Sequence, residues 1–240
     1  CEALDDPLGI DTPRPRLSWV MEESDGAAPV RGLRQTAYRI LVASTPEALA
    51  AERGDLWDSG RVASDRSTQF QYAGRPVASG ERCYWIVQAW DKDGKPTGWS
   101  DPAMWSMGLL DASDWKGRWI GLQTAATGSA EERRLPARHL RREFALDKEA
   151  VQATAHISGL GLSELYLNGR RVGDHVLSPA LTEYDKRVFY VTHDVTGFLQ
   201  KGPNAVGVIL GNGRYHAPRT KVPTVTRDFG LPRLLFQIDV

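Results

Sequence analysis

The stretch at residues 159–190 constrains the fold of this chain more than any other. Apolar side chains alternate up to Leu167, and Asn168-Gly169 follows, two residues that accept the positive φ angles of a tight hairpin turn. The chain then returns through two arginines, a run of turn formers and charge comes next, and an aromatic strand is predicted at 188–191. The pattern predicts an antiparallel sheet with a polar loop beside it, a common setting for a binding site.

Composition excludes several classes of function. The chain has 240 residues, and 30 lysine and arginine residues balance 30 aspartate and glutamate residues, so the formal net charge is zero. That balance lacks the basic footprint of proteins that bind nucleic acid or an anionic membrane. No apolar run reaches the roughly 18 residues of a membrane-spanning helix. We therefore expect no nucleic-acid partner and no membrane span.

Residue usage favours strands over helices. Eight tryptophans, 23 glycines and 14 prolines indicate many short strands joined by sharp turns. Helical periodicity is nearly missing, and only residues 45–53 predict a short helix, with Thr45 as N-cap and Pro46 as its first residue. The length suits one large or two modest domains. The predicted fold class is all-β, with two β-sandwich domains.

The first of these domains is predicted at residues 1–108. It contains about seven short strands, with turn signals roughly every 8 to 12 residues, which is typical of a β-sandwich of the fibronectin type III kind. Residues 109–136 are predicted to form a connector that includes a mobile polar loop at 123–134.

The second domain is predicted at residues 137–240 as a jelly-roll-like sandwich. A turn at 202–204 is predicted to precede a strand at 205–210. The domain ends within a strand pattern that has no closing turn, so we expect it to be incomplete.

Familiar catalytic motifs are missing from the sequence. There is no GxSxG nucleophile elbow, no HExxH zinc motif and no GxxxxGK[ST] phosphate loop. The histidines show no metal-ligand spacing, and no motif singles out a carboxylate pair for glycoside hydrolysis. Cys1 and Cys83 lack CxxC spacing, and a disulfide between them stays open. No catalytic residue is predicted in this chain.

Loops of the second domain carry six candidate ligand-binding residues: Asp174, Glu183, Tyr184, Asp185, Asn212 and Tyr215. The three carboxylates are oxygen ligands of the kind that Ca²⁺ prefers. The tyrosines offer ring faces and polar tips to a sugar. The alternative interpretation is that all six are ordinary turn residues and solvated loop charge. Calcium and carbohydrate are the two candidate ligands, and no cofactor is required.

Short motifs occur in a fixed order over nearly the whole chain. They include Asp6-Pro-Leu-Gly-Ile-Asp11, Pro15-Arg-Leu-Ser-Trp19, Leu56-Trp-Asp-Ser-Gly60, Trp119-Ile-Gly121, Glu164-Leu-Tyr-Leu-Asn-Gly169, Tyr184-Asp-Lys-Arg187 and Gly211-Asn-Gly213. Each motif is short, but the ordered set is specific. In this set the chain resembles the N-terminal part of bacterial α-L-rhamnosidases.

The resemblance implies a fibronectin-like domain followed by a jelly-roll domain related to rhamnose-binding modules that use Ca²⁺. It also implies a later (α/α)₆ barrel that carries the acid and base of an inverting hydrolysis of terminal α-L-rhamnosides. No helix-pair repeat occurs here, so the catalytic domain would be a downstream partner in the same polypeptide. Leu181 and Arg214 stand where the family usually has tryptophan, and Glu183 where it has aspartate.

We therefore predict the N-terminal, non-catalytic segment of a secreted or periplasmic α-L-rhamnosidase. Its expected role is architectural, with contact to rhamnose-containing glycans as an accessory role. Two alternatives stay open: a stand-alone carbohydrate-binding protein and a protein-interaction module.

Overall fold

The computed structural model describes residues 1–22, 32–122, 135–217 and 229–240. The chain divides into two compact units, Cys1–Asp114 and Trp115–Val240. The described part of the predicted connector is divided between them, since residues 109–114 belong to the first unit and 115–122 to the second. The loop predicted at 123–134 lies outside the described residues. In the described part, no helix has the length and apolar character needed to cross a membrane.

The first unit is built almost entirely from short antiparallel strands. Its elements are β1 (Arg16–Leu17), β2 (Ala37–Ala43), α1 (Pro46–Ala50), β3 (Trp57–Asp58), β4 (Val62–Ala63), β5 (Phe70–Gln71), β6 (Arg82–Trp90), β7 (Pro96–Trp99), β8 (Ala103–Ser106) and a 3-10 helix at Ala112–Asp114. The larger sheet has the order β3-β2-β6-β7, with β4 also paired to β2 and β8 to β6. A second sheet is formed by β1 and β5.

Strand β2 is buried on both of its faces. Tyr38, Ile40 and Val42 point into the main core of the unit. Leu41 and Ala43 alternate with them and pack on the other side of the sheet in a smaller cluster that includes the buried residues of α1. Because successive side chains of a strand point to opposite faces, a strand covered on both sides has to be apolar at nearly every position.

Helix α1 begins as predicted. Thr45 Oγ1 accepts a hydrogen bond from the backbone N–H of Ala48 at 3.1 Å, and Pro46 stands in the first turn, where its missing N–H costs nothing. The helix ends at Ala50, before the predicted end at residue 53.

The second unit is a sandwich of two antiparallel sheets. Its elements are β9 (Arg138–Leu146), β10 (Thr154–Leu160), β11 (Leu162–Leu167), β12 (Arg170–Arg171), β13 (Val191–Asp194), a 3-10 helix at Thr196–Phe198, β14 (Gly202–Gly211) and β15 (Arg233–Asp239). One sheet has the order β13-β10-β15 and the other β12-β11-β14-β9. Side chains from both sheets, among them Ile157, Leu165, Val208 and Leu234, form one core. The predicted all-β fold class with two β-sandwich domains is confirmed.

The hairpin between β11 and β12 forms at the predicted turn. Asn168 and Gly169 have φ angles of 51° and 80°. The Asn168 side chain also ties the turn to its neighbours: Oδ1 accepts from Ala205 N at 2.8 Å, and Nδ2 donates to Phe198 O at 2.9 Å and to Asn204 Oδ1 at 2.8 Å. The turn is therefore held both by its backbone conformation and by long-range contacts.

The strand predicted at 188–191 begins only at Val191 and continues to Asp194. Just before it, Ser158 Oγ donates to Phe189 O at 2.7 Å, and the Tyr190 ring packs edge-on against Trp115 at 5.4 Å between ring centroids. The side chain of Ser158, 31 residues away on β10, thus takes a carbonyl that a strand would direct to backbone, and the predicted boundary is wrong because of this distant partner.

The turn predicted at 202–204 is also wrong, because these residues begin β14. Gly202 pairs with Leu146 and Asn204 with Phe144 in the register with β9. The buried Asn204 Nδ2 donates to Gln200 O at 2.7 Å and Gly202 O at 3.0 Å, as a turn residue would. Local turn chemistry is present, but pairing with a long neighbouring strand extends β14 through it.

Candidate functional site

The loop between β12 and β13 carries most of the predicted site residues, and it is anchored at several points. Arg171 Nη2 donates to His175 O at 2.6 Å, and Ser163 N donates to Ser178 O at 2.7 Å. Further along, Glu183 O accepts from the backbone N–H groups of Lys186 and Arg187, which closes a turn. The predicted residues therefore lie on a loop with a defined path.

Two of the predicted residues, Tyr184 and Tyr215, come together with Phe229 in an aromatic cluster. Tyr184 meets Tyr215 and Phe229 edge-on, with both centroid distances at 5.1 Å, and Tyr215 stacks with Phe229 at 5.9 Å. Phe229 N donates to Tyr215 O at 3.0 Å, which fixes the two rings side by side. Burial raises the pKa of Tyr184, and nearby Arg214 opposes that shift.

The two tyrosines of the aromatic cluster each combine an apolar ring with a polar hydroxyl. Neither the Tyr184 nor the Tyr215 hydroxyl has a hydrogen-bond partner among the described residues. Phe229 was missed by sequence reasoning. It lies in no motif and joins the cluster only through the fold, so no local signal could have found it.

The three predicted calcium ligands are exposed. Glu183 forms a surface ion pair with Lys186 at 2.5 Å, and Asp174 lies near His193, since its charge acts on that imidazole. Within the described residues, no three Asp, Glu, His or Cys side chains are grouped so that they could hold a metal ion, Asp174, Glu183 and Asp185 included. Calcium binding stays a prediction, and any such site would need backbone or water oxygens as well.

Asn212 has a structural part in the fold. Its Nδ2 donates to Leu135 O at 2.5 Å and its Oδ1 accepts from Arg138 Nη1 at 3.3 Å. Both ends of the amide are thus engaged at the start of β9. The backbone carbonyl of Asn212 also accepts from His216 N at 3.2 Å, which closes the turn that contains Tyr215.

A pair of histidines lies beside this loop and was not predicted. The rings of His175 and His193 meet edge-on at 5.6 Å. Burial lowers the pKa of His193, the neighbouring His175 lowers it further, and Asp174 acts in the opposite direction. Gly173 makes room for the pair, since a Cβ there would lie 2.8 Å from His193 Cε1. Gly173, two residues before His175, was the one available signal in the sequence.

Comparison with known proteins assigns both units. Residues 1–111 match a family model described as the Rha78A-like, N-terminal immunoglobulin domain, and residues 148–240 match one described as the alpha-L-rhamnosidase N-terminal domain. The chain consists of N-terminal domains of the α-L-rhamnosidase family. The resemblance inferred from the ordered motifs is confirmed. The family model describes the first domain as an immunoglobulin domain, whereas the sequence predicted the fibronectin type III kind. Both kinds share the same β-sandwich architecture.

Curated relatives carry the same name over much longer chains. An alpha-L-rhamnosidase of Formosa agariphila is 39% identical over 89% of this chain and 24% of its own length. One from Alteromonas sp. is 35% identical over 100% of this chain and 26% of its own length. The chain thus spans about a quarter of the length of these α-L-rhamnosidases.

Solved structures agree with the fold. The alpha-L-rhamnosidase of Dictyoglumus thermophilum superposes with a TM-score of 0.84 at 33% identity, covering 99% of this chain and 26% of that one. That of Aspergillus terreus gives 0.82 at 32% identity, covering 97% and 26%. A Streptomyces avermitilis alpha-L-rhamnosidase complexed with L-rhamnose gives 0.84 at 24% identity over 99% of this chain and 38% of that one, which shows the shared fold.

Proposed function

We propose that this chain is the non-catalytic N-terminal part of a longer polypeptide that hydrolyses terminal α-L-rhamnosides. The observation that carries the proposal is the collinear match of both units to α-L-rhamnosidase N-terminal domains, in relatives about four times as long. In this proposal the two sandwiches orient and flank a catalytic part that lies outside the chain. A secreted or periplasmic location remains a prediction from the sequence, to be tested by cell fractionation.

The electrostatics of the described residues support a non-catalytic role. A glycosidase needs a carboxylic acid with a raised pKa to protonate the leaving group. Four carboxyl groups of the described residues have a lowered pKa instead, and hydrogen bonds from arginine, serine or backbone donors contribute each time: Glu2, Asp55, Asp58 and Asp111. At Asp55 those bonds outweigh burial, which acts in the opposite direction. These are the environments of structural carboxylates.

The test compares two proteins on an aryl α-L-rhamnoside. We expect turnover by the full-length polypeptide and none by the 240-residue chain purified to homogeneity. Turnover that stays with the purified chain, and that scales with its concentration, would contradict the non-catalytic role. A full-length polypeptide that folds and hydrolyses no rhamnoside would contradict membership of an active enzyme.

The aromatic cluster favours carbohydrate contact as a second role. Its two tyrosines have adjacent rings and hydroxyls without a hydrogen-bond partner among the described residues, a combination that suits a sugar. We expect titration of the full-length polypeptide with L-rhamnose to show a binding event in addition to that of the catalytic site, and Tyr184→Ala should remove this additional event while rhamnoside turnover stays unchanged. Tyr166→Ala is the matched control, because Tyr166 lies on β11 with its hydroxyl bonded to Glu164 at 2.9 Å.

Two further arms of the titration separate the alternatives. If a chelator abolishes the heat, the predicted calcium site takes part in binding. Sugar binding by a full-length polypeptide without turnover would favour a stand-alone carbohydrate-binding protein. A co-purifying protein partner with no response to sugar would favour a protein-interaction module.

A further inference from the structure

A groove of about 710 Å³ runs along the second unit between β9 and β15. Its floor is formed by side chains that point between the two sheets: Leu140 and Phe144 from β9, Val206 and Val208 from β14, and Leu234 and Phe236 from β15. These residues belong to the hydrophobic core of the unit or pack against it. The groove is therefore a place where the sandwich core is open, rather than a depression on an otherwise closed surface.

The two walls of this β9–β15 groove differ. The β15 wall is covered, because residues 116–120 run beside it: Ile120 and Leu234 exchange two backbone hydrogen bonds of 2.8 Å, and Lys116 N donates to Gln237 Oε1 at 2.6 Å. The other wall, β9, is the last strand of its sheet among the strands that the structure describes. An uncovered edge strand offers backbone groups to a further strand.

Strand β9 has partly exposed apolar side chains on its core side. Leu140, Phe144 and Leu146 line the groove in alternation and are only half-buried, although they lie on the core side. A position of this kind is normally closed by another element of the sandwich, since half-exposed core side chains leave apolar area in water.

The charges that line the groove are all positive. Lys116, Arg118, Arg141 and Arg142 line it, with no aspartate or glutamate among the lining residues. Arg141 forms a surface ion pair with Glu143. Arg142 lies between Leu140 and Phe144 on the same, inner face of the strand. An occupant that complements this lining has apolar residues in alternation and acidic residues where it passes the arginines.

We infer that the β9–β15 groove receives a β-strand from the remainder of the same polypeptide, paired with the edge of β9 that no described strand covers. The inference rests on the proposed function only for the existence of that remainder, which in the curated relatives amounts to about three quarters of the length. The two undescribed segments of this unit do not match the required occupant in sequence. Residues 123–134 contain no valine, leucine, isoleucine, methionine or aromatic residue, and 218–228 contain two valines but also two prolines.

Thiol labelling of the full-length polypeptide tests the inference. Phe144→Cys places a thiol on the groove floor, and Phe189→Cys places one on an exposed loop of the same unit as the control. We expect Phe144→Cys in the full-length polypeptide to react with a maleimide about tenfold or more slowly than Phe189→Cys, because reaction requires the strand to leave. Equal rates at the two positions would overturn the inference.

Photo-crosslinking then identifies the occupant. With p-benzoylphenylalanine in place of Phe144, mass spectrometry should find the crosslink within one molecule, to a segment that follows residue 240. A crosslink to residues 1–240 of the same molecule, or one between two copies, would overturn the inference. Arg142→Glu should increase labelling of Phe144→Cys, and Arg187→Glu, a charge change on the β12–β13 loop, should leave it unchanged.

Rhamnoside turnover measured on the same samples separates this inference from the proposed function. Turnover together with fast labelling of Phe144→Cys would reject the docked strand and keep the enzyme assignment. Slow labelling with the expected crosslink but without turnover would keep the docked strand and reject the assignment.

Discussion

Substitution of Asn168 should destabilise the second unit by an amount that can be divided into two causes. Asn168→Ala removes three side-chain hydrogen bonds. Because Asn168 is exposed, we take the low end of the usual contribution, about 1.5 kcal/mol for the three together. Alanine must also adopt a φ near 51°, at a cost of about 1.5 kcal/mol. The expected loss in the free energy of unfolding is therefore about 3 kcal/mol.

Two further variants separate the causes. Asn168→Gly loses the same hydrogen bonds but accepts the turn conformation, and its freer unfolded chain costs about 0.5 kcal/mol, so we expect a loss of about 2 kcal/mol. Asn168→Asp keeps an acceptor for Ala205 N but places a carboxylate oxygen, instead of a donor, against Phe198 O and Asn204 Oδ1, so it should be no more stable than Asn168→Gly.

Urea unfolding read by hydrogen exchange in peptides from β11 and β14 measures these losses in the second unit alone. If Asn168→Ala changes the free energy of unfolding by less than about 0.5 kcal/mol, the turn is not held as described. If the alanine and glycine variants are equally stable, the positive φ carries no cost.

Two other perturbations concern the histidines and the glycine beside them. Burial is the main cause that lowers the pKa of both His156 and His193 below 6.5. The unfolded chain therefore binds more protons, and the second unit should lose stability as pH falls below about 6.5. The urea midpoint should fall less with acid in His156→Gln, and a dependence of the midpoint on pH that the substitution leaves unchanged would contradict this. Gly173→Ala, at φ 71° with its Cβ 2.8 Å from His193, should lower Tm by several degrees, whereas Gly197→Ala, with no atom within 4 Å, should not.

Local chemistry made part of the fold predictable. The Thr45 cap with Pro46 starts a helix, and Asn168-Gly169 makes a hairpin, because each feature acts through backbone groups a few residues away. Two boundaries were wrong for the opposite reason. At 188–190 and at 202–204, partners more than thirty residues distant decide whether the chain joins a ladder.

The candidate site shows the same division. Sequence spacing places Tyr184 and Tyr215 in loops, but only the fold brings them together and adds Phe229. It also commits the Asn212 amide to Leu135 and Arg138. Residue type indicated which side chains suit a ligand, whereas a hydrogen bond to a distant backbone carbonyl leaves no trace in local sequence.

The short helix α1 has a consequence for solubility. It shields Leu41, Ala43 and Ile86, which would otherwise face water on the outer side of the main sheet. Without the five residues of α1, the sheet would expose an apolar face able to associate with copies of the same protein. We therefore expect a weaker Thr45 cap to cause aggregation in concentrated solution before the rest of the unit unfolds.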